Sequence, residues 1–391
     1  MKIADVRVMA LSWLVPEGER TRSDFGLQVK VDAAIVVVTT DEGVVGYGAA
    51  HGAVPAIKTI VEQQLKPVLL GEDPTEIERL WLKMYTGPRQ RLSLKEGRAY
   101  PVQGRRGDTI SAISGVDIAL WDITGKAYGR PVYKLLGGPC RTRVLTYASG
   151  GWKPPGKTAE EMAAYVAKGF TGVKMRVGGM DYPHLDTSAA RVREARDAIG
   201  PNILLMLDAH GSLGVASAIK LARMVEECDI RWFEEPVSAD DISGMAEVRR
   251  ATGIPIAAGE SEFTRFGFRD LLENRAVDIV QPDVAVCGGI TECKKIADMA
   301  SAWNLQYAPH VWFQGVLFAA SLHLAAATQN CYIFEVSQSN NPLIYQLTTE
   351  PFSIRSDGTI EVPDKPGLGI ELIPDAEKCF PYVPGPTHIP W

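Results

Sequence analysis

Asp208, Glu234 and Glu260 recur every 26 residues, each at the end of an apolar run: LLMLD, IRWFE and IPIAAGE. Asp283 follows in VDIVQPD. Three unpaired carboxylates converging on one point would repel each other, so a divalent cation is their natural occupant. Around them the chain offers Lys174 and Arg176 in GVKMR, His210 two residues after Asp208, His310 in LQYAPH and Glu335 in CYIFE. Residues two apart on a strand face the same way, which pairs Lys174 with Arg176 and Asp208 with His210. Taken singly, each has a bland explanation. A Lys-x-Arg on a strand is more often a surface feature, and a lone histidine is more often a satisfied structural group. Glu235, beside Glu234, is expected to point out of the mouth. Nine polar residues in register with strand ends are another matter. An unplaced polar group there is costly, so their coincidence points to one catalytic mouth.

The elements that must position these groups follow from the spacing. One strand plus one helix per roughly 30 residues is the rhythm of a barrel of eight units. From Cys140 the chain alternates accordingly. VLTYASG, FTGVKMRVG, ILLMLDAH, IRWFEE, IPIAAGE, VDIVQPD, LQYAPH and CYIFEV read as eight strands with helices between them, for example over residues 159–168 and 186–199. That pattern predicts a parallel barrel with right-handed crossovers and its chemistry at the C-terminal strand ends. Residues 1–50 predict antiparallel strands: IADVRVMAL, then two runs joined by a turn at Asp41-Glu42-Gly43. The polar stretch PEGERTRSDFG between them reads as a loop. Residues 53–85 read as helical, and a helix from Thr109 carries one apolar stripe of Ile113, Val116, Leu120, Ile123 and Ala127. Breakers at Gly129-Arg130-Pro131 and Gly137-Gly138-Pro139 end this first unit. The expected organisation is therefore residues 1–138, a barrel over 139–345, and a Pro- and Gly-rich segment, 346–391, returning to the first unit. Residues 86–108 hold Arg89, Arg91, Lys95, Arg98, Arg105 and Arg106 with little apolar periodicity. They read equally as a solvated loop or oligomer contact and as a cationic lid for an anionic substrate.

At this point the sequence resembles the enolase superfamily, in its mandelate racemase-like subgroup. The resemblance spans TDEGVVGYG, GVDIALWDITGKAYGRPVYKLLGG, the strand ends DAH, EEP and GES, then QPDVAVCGGIT, APH and FE. It implies an α/β fold: an α+β capping domain over a modified (β/α)7β TIM-like barrel, the C-terminal tail completing the cap. It also implies Mg²⁺ held by Asp208, Glu234 and Glu260, with open positions for a substrate carboxylate. His310 would be the base, oriented by Asp283. Glu335 would be protonated and donate to the carboxylate, and Lys174 would add positive charge beside it. Racemases of the subgroup usually carry a second lysine where this chain has Arg176. Arginine stays protonated, so it is a clamp and not a base. His210, in an Asp-x-His pair, resembles the acid-sugar dehydratases, where the histidine protonates the departing hydroxyl. The resemblance thus favours dehydration of an aldonate or aldarate to a 2-keto-3-deoxy acid, with racemisation or epimerisation of a 2-hydroxy acid as the alternative.

Composition excludes other classes. A formal net charge of −6 argues against nucleic acid or an anionic membrane surface as partner. None of the six cysteines has C-x-x-C spacing, so buried free thiols are expected. The start MKIADVRVMAL lacks a secretory signal, and no run approaches the roughly 18 apolar residues of a membrane span. A cytoplasmic enzyme assembling as a homo-oligomer on a small carboxylate substrate is the expectation.

Overall fold

Two long runs of branched side chains, Ile3–Leu14 and Lys30–Thr40, pair antiparallel, and Val45–Ala50 adds a third strand to the second of them. The computed structural model describes residues 1–23, 25–102, 106–179, 184–350 and 352–390. The stretch read as a polar loop folds further than expected. Arg22–Ser23 and Gly26–Gln28 form a small hairpin, and His388–Ile389 from the far end of the chain pairs with it. Side-chain pattern could not show this, because the hairpin's support comes from a partner some 360 residues away.

The helix Asp108–Ala127 does not present a single apolar stripe. It is buried on nearly every side, since one face lies on the cap sheet and another on the barrel. Glycines permit the close approach: a Cβ on Gly48 would overlap the Gly115 carbonyl oxygen. Toward the barrel, Trp121 Nε1 donates to Thr291 Oγ1 (2.9 Å), and Asp117 accepts the Thr291 N–H (3.0 Å). Ser114 Oγ accepts the Gly288 N–H (2.9 Å). The basic stretch is also more ordered than expected, with a helix at Gln90–Glu96. Arg106 from its end reaches Glu262 at 2.9 Å.

The barrel is built from eight parallel strands: Arg143–Gly150, Gly172–Arg176, Leu204–Asp208, Ile230–Glu234, Ile256–Ala258, Ile279–Val280, Gln306–Tyr307 and Phe334–Ser337. Each of the first six pairs with the next, and the first pairs with the eighth. The seventh meets the eighth only through the segment before it, where Tyr307 N donates to Asn330 O and Tyr332 N to Tyr307 O. Alternation along the strands aims Tyr147, Met206, Trp232, Ala257, Ile279, Ala308 and Ile333 inward as a packed plug. The next inward positions toward the C-terminal ends are Lys174, Asp208, Glu234 and Glu335. The barrel floor is therefore dry and its mouth charged. Four of the six free thiols are buried. Among the described residues no helix is long and apolar enough to cross a membrane.

Candidate active site

Lys174 stands at the centre of the mouth. Its ammonium is ion-paired with Glu234, lies 2.9 Å from Glu335 Oε1 and 3.8 Å from Asp208 Oδ2. Burial disfavours its charge, but Glu234, Glu335, Tyr147 and Asp208 outweigh that and raise its pKa well above the lysine value. Lys174 is thus a fixed cation. Arg176, two residues on, reaches Asp208 Oδ1 at 3.3 Å. Glu234 is buried and accepts from Trp232 Nε1 (3.0 Å) and Gln281 Nε2 (2.6 Å). Burial pushes its pKa up to about 7, against the pull of Lys174 and with the repulsion of Asp208, Glu335 and Glu260.

His310 lies three residues past the seventh strand. Its Nδ1 is 2.7 Å from Asp283 Oδ2. A carboxylate can only accept, so Nδ1 carries the proton and Nε2 faces the mouth. Asp283 is fully buried, and its other oxygen accepts the Ala285 N–H at 2.7 Å. Burial works against a charged imidazole, yet Glu260, the Asp283 bond and Glu335 together raise the His310 pKa to about 10. One oxygen of Glu260 is 3.7 Å from His310 Nε2, and the other is 3.3 Å from His210 Nε2. Burial would raise the Glu260 pKa, but the two imidazoles hold it well below the ordinary value.

Two expectations need correction. The strand-alternation argument does not extend to His210 or Glu235. The third and fourth strands end at Asp208 and Glu234, and the backbone turns to positive φ at His210 (49°) and Glu235 (35°). His210 is brought to the mouth by this turn, with its N–H bonded to Asp208 Oδ1 (2.9 Å). The same kind of turn swings Glu235 inward, contrary to its expected outward direction. Ligand-type atoms of His210, Glu235 and Glu260 all lie within 4.8 Å of one another. Glu235 is buried, and among the described residues one of its carboxyl oxygens has no hydrogen-bond partner. Burial, then Glu260 and Asp208, push its pKa well up. Glu335, expected as a protonated donor, is held below the usual carboxylate range: burial is outweighed by Lys174, His310 and the Val311 N–H, which it accepts at 2.7 Å.

This surplus of buried oxygen donors, one of them orphaned, fits a hard divalent cation. The structure does not draw Asp208, Glu234 and Glu260 into the tightest cluster. Asp208 and Glu234 are taken up by Arg176 and Lys174, whereas Glu260 belongs to the group with His210 and Glu235. A groove of about 840 Å³ between Trp13, Phe170, Phe318 and Phe352 is lined by none of these groups.

Residues 157–376 match the family described as enolase C-terminal domain-like. Residues 22–137 match the mandelate racemase/muconate lactonizing enzyme N-terminal domain. The chain belongs to the enolase superfamily, in the mandelate racemase/muconate lactonizing enzyme subgroup. It is 37% identical over 359 residues to a D-galactarolactone cycloisomerase of Agrobacterium fabrum, covering 88% of this chain and 90% of that one. It is 37% identical over 341 residues to an arabinonate dehydratase of Saccharolobus solfataricus, covering 86% and 87%. Its fold superposes on an enolase superfamily member from Polaromonas sp. JS666 with a TM-score of 0.90, at 35% identity and full coverage of both chains. The cap-over-barrel fold read from sequence is thereby borne out. Members of this superfamily bind a divalent metal, for which His210, Glu235 and Glu260 are one candidate group here.

Sequence reasoning missed three residues at the mouth. Phe25 of the cap hairpin packs edge-on against the His210 ring, centroids 4.6 Å apart. His51, at the end of a cap strand, stacks on Phe313. Phe313 itself has φ of +73°. No periodicity points to them, because only docking of the cap onto the barrel brings them there. Asp24 of the stretch read as a polar loop, and Gln103, Gly104 and Arg105 of the basic stretch, lie outside the described residues.

Proposed function

We propose that this chain dehydrates an aldonate or aldarate to a 2-keto-3-deoxy acid with the help of Mg²⁺. The observation that carries the reading is the pair of imidazoles facing one carboxylate, His310 at 3.7 Å and His210 at 3.3 Å from the two oxygens of Glu260. His310 has the buried Asp283 on its far nitrogen, at 2.7 Å. Two imidazoles so placed suit a base and an acid working on adjacent carbons of one substrate.

In this reading His310 Nε2, whose raised pKa rests first on the Glu260 charge that a bound cation would offset, takes the proton from C2. The electron pair moves into the C2–C3 bond, the C3–O bond breaks, and the departing hydroxyl takes the proton of His210 to leave as water. The enol then tautomerises to the ketone. Lys174, its ammonium held in place by Glu335, positions the substrate carboxylate, and Arg176 adds fixed positive charge where a racemase would need a base. Asp208, Glu234 and Glu260 would hold the Mg²⁺, since three oxygens suit that ion better than a set containing His210. When bound, it offsets the charge that builds on the carboxylate as the proton leaves.

A second reading has support from the cycloisomerase relative at the same identity. It begins with the same proton abstraction but keeps the leaving oxygen attached through a ring. Screening acid sugars and their lactones separates the two. A keto acid lighter than its substrate by one water, absent with His310→Asn, supports dehydration. A product of unchanged mass, formed from a lactone only, rejects it.

A further inference from the structure

We propose that His51 is a specificity-determining residue, whose imidazole holds a hydroxyl of the substrate chain beyond the two reacting carbons. The inference rests on the sugar-acid reading above and adds to it where the substrate's far end is read.

His51 follows directly on the cap strand Val45–Ala50, and its N–H donates to Ala285 O (3.2 Å), two residues past Asp283. The cap thus docks on the barrel beside the His310–Asp283 pair. Asp108, which opens the long cap helix, secures the same segment: its Oδ1 accepts the Ala53 N–H at 3.4 Å. That oxygen also fills the space a Cβ on Gly52 would need. The His51 ring lies flat on Phe313, with centroids 4.2 Å apart and planes 11° from parallel. Phe313 adopts a φ of +73°, a conformation costly for an aromatic residue. Asn341 Nδ2 keeps it there by donating to its carbonyl at 2.8 Å. From this strained position the Phe313 ring also lies beside His310, the ring centroids 6.5 Å apart.

Among the described residues neither ring nitrogen of His51 has a protein hydrogen-bond partner, and the side chain is only partly exposed. Burial lowers its pKa, so the ring is a neutral imidazole with one N–H donor and one lone pair. Its backbone bond to Ala285 and its stack on Phe313, beside His310, place it at the rim of the mouth. A half-buried group of this kind gains from a ligand that can both donate and accept. A hydroxyl does both; a carboxylate or phosphate would only accept, beside carboxylates that repel it. A buried polar group left unpaired by the wrong substrate is also what makes a site selective.

The test compares wild type, His51→Phe and His51→Gln as full-length, magnesium-loaded protein. Phe keeps a ring for the stack and loses the hydrogen bond; Gln restores a donor and an acceptor. Hexonates and pentonates serve as substrates. D-glycerate serves as a competitive inhibitor, since it has the carboxylate and both reacting carbons but no further hydroxyl. The expected result for His51→Phe is a loss of about tenfold in kcat/KM on the best aldonate, mainly through KM. His51→Gln should recover most of it, and the glycerate inhibition constant should be unchanged in both. Equal losses on aldonate and glycerate, or no loss on either in a variant that melts like wild type, overturn the proposal. A wild-type protein that makes keto acid from no acid sugar overturns the sugar-acid reading itself.

Discussion

His323 should make the protein acid-sensitive in a defined window. It sits in the helix Gly315–Ala327, just after the loop that carries His310, and is fully buried. Its Nε2 lies 3.0 Å from Leu368 O, which can only accept, and its Nδ1 faces the Tyr133 N–H at 3.3 Å. Only the neutral ring with its proton on Nε2 satisfies both. Burial accordingly lowers its pKa from 6.5 to about 4. The unfolded chain therefore binds a proton over a range where the folded one does not. Stability from this site is fully present above the unfolded value and is lost as pH falls toward the folded one. The gap of about 2.5 in pKa, at ~1.4 kcal/mol each, is worth about 3 kcal/mol, of which about 2.5 is gone by roughly pH 4.5. Urea unfolding of wild type and His323→Gln should show wild type the more stable at about pH 7.5. That advantage should shrink by about 2.5 kcal/mol at about pH 4.5. Parallel pH profiles for the two proteins would refute the reasoning.

Other perturbations have equally definite outcomes. Calorimetric titration with Mg²⁺ should find affinity weakened at least about tenfold by Glu234→Gln and far less by Glu235→Gln; the reverse order would assign the ion to His210, Glu235 and Glu260. Arg176→Lys replaces a permanent cation beside Asp208 with a titratable amine, so solvent deuterium should begin to enter C2 of recovered substrate, as proton NMR would show. Gly48→Ala forces the cap sheet away from the Gly115 carbonyl and should cost about 2 kcal/mol in chemical denaturation.

Much of this was legible in the chain. The barrel was readable because each strand is an apolar run of regular spacing, and its mouth because polar residues terminate those runs. Pattern failed where the backbone leaves the strand. Once φ turns positive at Glu235, a neighbour expected to face outward joins His210 and Glu260. It failed again where a residue acquires meaning only from another domain. His51 is one polar residue at a strand end until the cap lays it on Phe313. The helix Asp108–Ala127 shows the same limit in packing, since a sequence stripe reports one buried face and cannot announce a second. Charge states lie further out of reach, because they depend on the whole constellation. Glu335 is held ionised by Lys174, His310 and a backbone N–H contributed from elsewhere on the barrel.

The most direct measurement is turnover in deuterium oxide, following both product and unreacted substrate by proton NMR. One competent base and one acid predict a keto acid with solvent deuterium at C3, and unreacted substrate with hydrogen retained at C2 and unchanged configuration. Deuterium accumulating at C2 of the substrate with inverted configuration, and no keto acid, would show a second base at work and contradict dehydration.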